Sequence, residues 1–393
     1  MAVSKSKINL SQPNPCFHLW IPNIFDFKGG IQVYSAVLLE ALQKLAPQIK
    51  YEAMLLHDRP TASKTQTSGK ISWHYCGNVP LKLRYFAYTA QLVALALWQR
   101  PKLIIATHLN FTVVAYWLKK VTGIPYWTVA HGIEAWGIKR PQLTRALHHA
   151  DKVLAVSSYT RQRLINEQNL ASDKVVVLPN TFDATRFTIA PKPEYLLQKY
   201  GLKPEQPTIL TVARLAEVQR HKGYDRVLQA LPEIRNAIPD VHYLIVGKGK
   251  DRPRIQEAIT NLGLQDCVTL AGFVPDEQLC DYYNLCDMYA MPSKKEGFGI
   301  VYLEAMACGK PVLAGDRDGA VDALCQGKLG VLVDPDDLWA IANNTIAILQ
   351  KKHSHPLIYR PEKLRKRVIR HFGFEMFQET LANLLNQSSL EVN

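Results

Sequence analysis

The sequence predicts an α/β protein of two domains, each a parallel sheet with helices wound on both of its faces. Three observations support this. The chain has 393 residues, enough for two domains with full cores. Short apolar runs alternate with segments of helical periodicity along most of that length. The stretch 287–314 has the pattern of a strand, a polar loop, a helix and a second strand, which is one unit of such a sheet.

Composition predicts an ordinary cytoplasmic globular protein. Hydrophobic residues make up 47% of the chain and charged residues 21%. The N-terminal segment has no apolar core of the signal-peptide type, and the uncharged runs 85–99 and 103–118 are too short and too polar to span a bilayer. The 7 cysteines are scattered without a Cys-x-x-Cys pair or a Cys/His cluster. Neither a zinc site nor a disulfide framework is therefore predicted, and reduced thiols fit best.

The net charge of +13 is unevenly distributed along the chain. Residues 1–180 carry 21 Lys and Arg against 8 Asp and Glu, whereas residues 181–350 carry 18 against 22. The tail, 351–393, carries 8 against 4. The excess therefore lies in the first half and in the tail. Such a basic surface indicates nucleic acid, a membrane surface or an anionic substrate as a partner.

Strands and helices alternate through both halves in the predicted order. The segment 58–69 is polar and predicted to be a mobile loop, and the proline-rich span 185–206 is predicted to be a linker. The last predicted segment, 361–385, is a basic amphipathic helix or helix pair. Predicted strands are 16–20, 51–55, 71–76, 103–107, 126–130, 152–156, 174–178, 208–212, 241–246, 268–271, 288–291, 311–314 and 329–333, and predicted helices are 31–45, 84–99, 111–121, 276–285 and 336–349.

Two carboxylates stand out in the stretch 287–314. Glu296 precedes the predicted helix and Glu304 lies inside it, with seven residues between them. Both can address one site at the helix N-terminus, where free backbone N–H groups also point. A carboxylate among apolar neighbours needs hydrogen bonds, which the diol of a sugar or ribose would supply. Alternatively, Glu296 complements the helix dipole and Glu304 joins a salt bridge at the edge of the core.

This stretch resembles the E-x7-E signature of the retaining glycosyltransferases of family 4. The flanking residues match as well, and the resemblance extends over nearly the whole chain, most strongly over 205–335. It implies the GT-B fold: two Rossmann-like doubly wound domains facing across a cleft, with a C-terminal helix crossing back to the first domain. The expected divisions are 1–185 for acceptor binding, 186–360 for nucleotide-sugar binding and 361–393 for the helical tail. The matching flanking residues are Gly297, Phe298, Gly299, Ala305, Gly309, Pro311 and Val312.

The resemblance implies roles for residues in both domains. In the second domain Arg214 and Lys222 would bind the donor diphosphate, because arginine and lysine are the cations that suit phosphate oxygens. Glu304 would bind the ribose and Glu296 the sugar. In the first domain His131 would contact the transferred sugar. The implied donor-binding set also includes Gly29 and Gly30 at the first strand-to-helix turn, Gly247 after the strand 241–246, Phe273 and Val274 beside the base, and the backbone around Gly297, Phe298, Gly299 and Ile300.

The chain departs from the family pattern in two places. Ala46 and Pro47 stand where a Gly-His pair is usual, and Thr181 replaces the glycine of an Asn-Gly-Val-Asp segment. Asp316 and Asp318 form an Asp-x-Asp pattern, which resembles the metal motif of the other glycosyltransferase fold. We interpret it as a loop, because the arginine and lysine already supply cations. No metal and no cofactor are expected.

The predicted protein is a retaining, metal-independent glycosyltransferase. It would move a hexose from a nucleoside-diphosphate sugar, with UDP favoured over GDP, to a saccharide or lipid-linked acceptor. An alternative is a GT-B nucleotide-sugar epimerase. A basic nucleic-acid-binding protein is a second alternative, although the sequence holds no motif for it.

The location is predicted to be cytoplasmic and peripheral on an anionic membrane. The segment 81–102 combines basic residues with Tyr85, Phe86, Leu92, Leu95 and Trp98, so it could lie in a membrane interface. The competing interpretation is that the segment buries this face in the core of the first domain.

Overall fold

The computed structural model describes residues 15–25, 29–60 and 70–387. Over these residues the chain forms two compact units. The first takes the chain up to Thr181 together with the segment that begins at Phe374, and the second takes Phe182–Gly373. The sequence placed these divisions at 185/186 and 360/361. Each unit is built on one parallel sheet, as predicted.

The first unit holds a seven-stranded parallel sheet in the order β3-β2-β1-β4-β5-β6-β7. Most strand residues are buried, because helices cover both faces of a doubly wound sheet and leave its strands no solvent side. The strands are β1 (Cys16–Ile21), β2 (Lys50–Leu55), β3 (Ile71–Tyr75), β4 (Leu103–Ala106), β5 (Tyr126–Ala130), β6 (Lys152–Ala155) and β7 (Val175–Val177). The helices between them are α1 (Gly30–Leu45), α2 (Leu81–Gln99), α3 (Thr112–Thr122), α4 (Pro141–His149) and α5 (Ser158–Gln168).

The second unit holds a six-stranded parallel sheet in the order β10-β9-β8-β11-β12-β13. Its strands are β8 (Thr208–Val212), β9 (His242–Val246), β10 (Val268–Gly272), β11 (Met288–Met291), β12 (Val312–Gly315) and β13 (Val331–Val333). Its helices are α6 (Glu194–Tyr200), α7 (Tyr224–Ala237), α8 (Arg252–Asn261), α9 (Leu279–Leu285), α10 (Ile300–Ala307), α11 (Ala320–Ala323), α12 (Leu338–Leu349) and α13 (Pro361–Phe372). Short 3-10 helices lie at Leu109–Phe111, Ile133–Ala135, Glu217–Lys222 and Asp276–Gln278.

The last helix, α14 (Phe374–Gln387), belongs to the first unit. It packs on α1, where the rings of Phe377 and Tyr34 meet edge to face at 5.7 Å between centroids. The ammonium of Lys44 lies 4.3 Å from the centre of the Phe374 ring. The predicted C-terminal segment is therefore a pair of helices, one in each unit, separated by Gly373.

Two sequence predictions need comment. The span 185–206, predicted to be a linker, contains the helix α6. Pro193 directly precedes α6, and the side chains of Leu196 and Leu197 are buried. The other is the mobile loop 58–69, of which residues 61–69 lie outside the described residues.

Gly247 shows why one turn at the end of β9 requires glycine. Its φ is +146°, a backbone conformation that L side chains rarely adopt. A Cβ at this position would lie 1.8 Å from the carbonyl oxygen of Ala213, the residue that follows β8. The turn therefore brings the ends of β8 and β9 closer together than a side chain would allow.

Replacing Gly247 by alanine is expected to lower the free energy of unfolding by roughly 3 kcal/mol or more, because backbone strain and a clash with Ala213 add together. Gly263 is the matched control, because its φ is +65° but nothing lies within 4 Å of its ideal Cβ position. Gly263→Ala should cost only about 1 kcal/mol, the usual cost of a left-handed non-glycine residue. Urea denaturation measures both variants, and equal losses would contradict the close-approach argument.

Candidate active site

A buried carboxylate organises the loop between β11 and α10. Asp318, which follows β12, accepts hydrogen bonds from the Ser293 hydroxyl at 2.7 Å, the Glu296 N–H at 2.7 Å and the Ala320 N–H at 2.9 Å. Its side chain is fully buried. Burial raises the pKa of Asp318 to about 7, even though the three donors favour the carboxylate. Asp318 thereby fixes the backbone position of Glu296.

Glu296 forms an ion pair with Lys222. The ammonium of Lys222 donates to Oε2 of Glu296, and the two side chains are only 20% and 14% exposed. Lys222 is the last residue of the turn Glu217–Lys222, which leads into α7. An ammonium has three N–H donors, so Lys222 can bind further oxygens while it faces Glu296. Arg214 lies two residues after β8, and its side chain is exposed.

Glu304 lies in the second turn of α10 and keeps one oxygen open. The hydroxyl of Tyr283, on α9, donates to its Oε2 at 2.7 Å. Within the described residues the other oxygen has no hydrogen-bond partner. Burial raises the pKa of Glu304 to about 7, and the hydrogen bond from Tyr283 and the nearby guanidinium of Arg186 offset only part of that effect. A partly buried carboxylate with a free oxygen can accept hydrogen bonds from a ligand diol.

The turn before α10 offers backbone donors. Gly299, with φ +90°, precedes the first residue of α10, Ile300. Across the part of the chain that the structure describes, the N–H groups of residues 297–300 meet no acceptor. The ring of Phe298 is buried against Phe372, 5.4 Å between centroids, so only its backbone is available to a ligand.

The remaining predicted donor residues of the second unit differ in what they can offer. The ring of Phe273 is 62% exposed, with the Lys248 ammonium 4.5 Å from its centre. Val274 is buried, and the N–H of Gly247 already donates to the Gly272 carbonyl at 2.8 Å. Phe273 therefore offers an aromatic face, while Gly247 keeps a tight turn.

In the first unit, His131 directly follows β5 and its tautomer is fixed. Its Nε2 lies 2.8 Å from the carbonyl oxygen of Thr107, and a carbonyl can only accept, so the proton is on Nε2. The remaining nitrogen, Nδ1, is then an acceptor. Burial lowers the pKa of His131 to about 4, so the ring is neutral near pH 7. Its backbone N–H donates to Glu134, and its ring meets Tyr34 edge to face at 5.2 Å.

Gly29 and Gly30 form the start of α1, as predicted. The carbonyl of Gly29 accepts the N–H of Val33, and among the described residues no side chain caps the helix. Gln32 in the first turn donates its side-chain amide to Asn23 at 2.8 Å. The helix therefore begins with N–H groups that no side chain of residues 15–25, 29–60 or 70–387 occupies. Residues 26–28, just before this turn, lie outside the described residues.

The Asp316-Arg317-Asp318 segment is a loop after β12. Arg317 pairs with Asp334 and, at 3.1 Å, with Asp336, whereas Asp318 is turned inward as described above. Among the described residues, no three His, Cys, Asp or Glu side chains form a group that could hold a metal ion.

Sequence reasoning missed three supporting side chains: Asp318, Tyr283 and Glu134. The sequence indicated Asp318 only as part of the Asp-x-Asp pattern that it forms with Asp316. Its contact with Glu296 joins positions 22 residues apart, and that of Tyr283 with Glu304 joins positions 21 apart. Glu134 is close to His131 in sequence, and its spacing of three residues in a predicted loop was the one local signal.

Two parallel doubly wound sheets are the architecture of the GT-B fold that the sequence predicts. A family model described as Glycosyltransferase Family 4 matches residues 28–186, and one described as Glycosyl transferases group 1 matches residues 194–370. The chain belongs to this group of glycosyltransferases. Membership does not favour the epimerase or nucleic-acid-binding alternatives.

Known proteins give the same assignment. The chain is 36% identical over 225 residues to a GDP-mannose-dependent alpha-(1-6)-phosphatidylinositol monomannoside mannosyltransferase of Mycolicibacterium smegmatis, a match that covers 54% of this chain and 57% of the relative. The fold matches Anabaena HepE in complex with UDP and glucose, with a TM-score of 0.76, 20% identity and coverage of 95% and 99%. It also matches a sucrose-phosphate synthase of Thermosynechococcus elongatus, with a TM-score of 0.77, 22% identity and coverage of 96% and 100%.

The raised pKa of Glu304 predicts pH-dependent nucleotide binding. If its carboxylate accepts ribose hydroxyls, protonation opposes binding. The pKa of Glu304 is about 7. One pH unit below that pKa, the dissociation constant of a nucleoside diphosphate should be about tenfold larger than at alkaline pH, where Glu304 is fully ionised. Calorimetric titration across this range measures the dependence.

Glu304→Gln is the control, because it removes the titrating group and keeps the shape. The ligand phosphate also titrates, with a second pKa near 6, but that contribution is common to both proteins. An unchanged pH profile in Glu304→Gln would refute the ribose assignment.

Proposed function

We propose that this protein is a retaining, metal-independent hexosyltransferase that uses a nucleoside-diphosphate sugar and a lipid-linked or saccharide acceptor. The observation that carries the proposal is the Lys222–Glu296 ion pair next to free backbone donors and the half-satisfied carboxylate of Glu304. Together these groups offer a cation, N–H donors and two acceptors to one ligand. A nucleotide sugar needs the same set for its diphosphate, its ribose and its sugar hydroxyls.

In this proposal the diphosphate takes the place of Glu296 on Lys222. The ammonium turns to phosphate oxygens, assisted by Arg214, and Glu296 becomes free to accept hydrogen bonds from the sugar. The negative charge on the leaving diphosphate grows in the transition state. Lys222 therefore stabilises the transition state more than the bound donor, which is how such a group accelerates the reaction.

The first-unit residues have matching roles. His131 is neutral and presents Nδ1 as an acceptor, so it binds a sugar hydroxyl and does not compete with the cations for phosphate. The backbone N–H groups that begin α1 at Gly30 suit an anion, because a helix N-terminus carries a partial positive charge.

The donor is the point on which sequence and relatives differ. The sequence favours a UDP-sugar, and HepE, which is 20% identical to this chain, was solved with UDP and glucose. The more similar relative, at 36% identity, is named as GDP-mannose-dependent. Because higher identity is the stronger guide to a ligand, we propose GDP-mannose as the donor. The match spans 57% of that relative's length, so its acceptor is a guide to class only.

A donor screen tests this function. GDP-mannose is expected to raise the melting temperature more than UDP-glucose, because a ligand that binds the folded state stabilises it by mass action. Transfer to a lipid-linked acceptor should proceed in EDTA, and NMR of the product should show the anomeric configuration of the donor. Transfer abolished by EDTA and restored by manganese would contradict metal independence.

Lys222→Ala links the activity to the site. Turnover should fall by on the order of 100-fold, the usual cost of removing a group that stabilises charge in a transition state. Lys203→Ala is the matched control, because Lys203 is an exposed lysine of the same unit that precedes β8, at the opposite end of that strand from Arg214. Equal effects would show that general charge, not the site, is responsible.

We also propose that α2 docks the protein on an anionic membrane. Along one side of α2, Leu83, Phe86 and Leu97 are exposed by 60%, 78% and 43%, and Trp98 beside them by 80%. The buried side of the helix is carried by Tyr88, Leu92 and Ala96. Five apolar residues of this segment could lie in a membrane interface according to the sequence. Of these, Leu92 is buried and Leu95 half-buried, whereas Tyr85, Phe86 and Trp98 are exposed. An exposed apolar face of this kind suits an interaction surface.

Charge makes a membrane the favoured partner for this face. The segment of α2 has no acidic residue, and it carries Lys82 and Arg84 at one end, with Arg100 and Lys102 following the other. Basic residues near an anionic leaflet contribute about 1 kcal/mol each. Among the described residues, no helix is long and apolar enough to cross a membrane. An interfacial contact of α2 therefore agrees with a lipid-linked acceptor.

Vesicle co-sedimentation tests the docking face. The protein should bind vesicles containing phosphatidylglycerol at low salt and less so at high salt, because salt screens the charges. Leu83→Ser with Phe86→Ser should weaken binding by about 2 kcal/mol, roughly thirtyfold, because two apolar side chains lose their burial.

The matched control is Trp339→Ser. Trp339 is 74% exposed, but it lies on α12 of the second unit, which is nearly neutral with 26 Lys and Arg against 23 Asp and Glu over residues 182–373. Its replacement should leave vesicle binding unchanged. The docking proposal fails if the α2 variant binds like the parent protein, or if vesicles of phosphatidylcholine alone bind equally well at low salt.

A further inference from the structure

Two thiols lie side by side where α9 meets the end of α10. The Sγ atom of Cys280, on α9, is 3.9 Å from that of Cys308, the residue directly after α10. We propose that Cys280 and Cys308 form an intramolecular disulfide when the protein meets a peroxide. This is a modification site that the transferase reaction does not use.

The surroundings of Cys280 suit a reactive thiolate. Its sulfur accepts the backbone N–H of Thr188 at 3.4 Å and the side-chain amide of Asn284 at 3.5 Å. A hydrogen bond from the Cys308 thiol lowers the pKa of Cys280 to about 6. Cys280 is partly exposed and Cys308 is buried, with a raised pKa. An accessible low-pKa thiol next to a second, protected thiol is the arrangement in which oxidation stops at a disulfide.

The chemistry needs only the peroxide as oxidant. The Cys280 thiolate attacks one peroxide oxygen, the O–O bond breaks, and the products are a sulfenic acid and, after protonation, one water. The sulfur of Cys308 then attacks the Cys280 sulfur, so that an S–S bond forms and the S–O bond breaks. The departing hydroxide takes the Cys308 proton as a second water. Two electrons thus pass from the sulfurs to the peroxide. The sulfurs must approach from 3.9 Å to about 2.05 Å.

We expect the disulfide to affect the contact between Tyr283 and Glu304. Tyr283 lies one turn beyond Cys280 on α9, and Glu304 lies one turn before Cys308, so the thiol pair and the Tyr283–Glu304 hydrogen bond are successive contacts of the same two helices. Oxidation also turns the Cys280 sulfur away from Thr188. We therefore expect weaker nucleotide binding after oxidation, a consequence that rests on the proposed ribose role of Glu304.

Peptide mapping of the full chain tests the disulfide itself. The reduced protein is treated with hydrogen peroxide, its free thiols are blocked with N-ethylmaleimide, and its peptides are analysed by mass spectrometry. The expected product joins Cys280 to Cys308 and is reversed by dithiothreitol. In Cys308→Ser, Cys280 should instead be trapped by dimedone as the sulfenic acid. A parent protein in which Cys280 stays reduced, or is oxidised to sulfonic acid without the cross-link, would overturn the proposal.

Cys325→Ser is the matched control. Cys325 is likewise partly exposed, but burial raises its pKa to about 11, so its removal should leave the cross-link unchanged. Nucleoside diphosphate titration of the reduced and oxidised protein then measures the consequence, expected as at least a tenfold loss of affinity that dithiothreitol restores. A cross-link without that loss would refute the coupling to Glu304. Reduced protein that binds no nucleotide would refute the proposed function, while the mapping still decides the disulfide.

Discussion

The candidate site depends on one buried carboxylate, that of Asp318. It lies after β12, yet it holds the loop after β11 by accepting a hydroxyl and two backbone N–H groups. Because the Glu296 N–H is one of these donors, displacing Glu296 would remove one of the three hydrogen bonds of a buried carboxylate, which is costly. The Lys222–Glu296 ion pair thus rests on a fixed backbone, and the orientation of a ligand bound there would be set by the sheet itself.

The two units differ in their net charge and in the kind of surface that they expose. The second unit is nearly neutral, with 26 Lys and Arg against 23 Asp and Glu over residues 182–373, but it collects Lys222, Arg214 and free N–H groups at the carboxyl ends of its strands, where α/β sheets bind ligands. The first unit is strongly basic and exposes an apolar face on α2. A local cationic site in a nearly neutral unit favours a small anionic ligand, whereas a broad basic and apolar surface favours an extended partner. The family assignment agrees with the former.

The sequence by itself determined the sheet class and the identity of the main polar groups. Strand-like runs and helical periods are local patterns, so both parallel sheets could be predicted and their strand positions lie close to the predicted ones. Glu296 and Glu304 stand in one short segment together with the glycines that turn the chain, so their grouping at the start of α10 could be read from spacing. Helix α6 was not predicted from the sequence, because proline occurs both where ordered segments end and where they begin, and composition alone does not distinguish the two.

Only the tertiary structure decided what these groups contact. Asp318 and Glu296, Tyr283 and Glu304, and the cysteines at 280 and 308 are separated by 22, 21 and 28 residues, and no periodicity connects such positions. The exposed face of α2 could not be predicted from the sequence either, because that helix is apolar nearly all round and its pattern does not indicate which side faces the sheet. Tertiary packing determines which side of α2 is exposed, because a side chain is buried only where another element covers it.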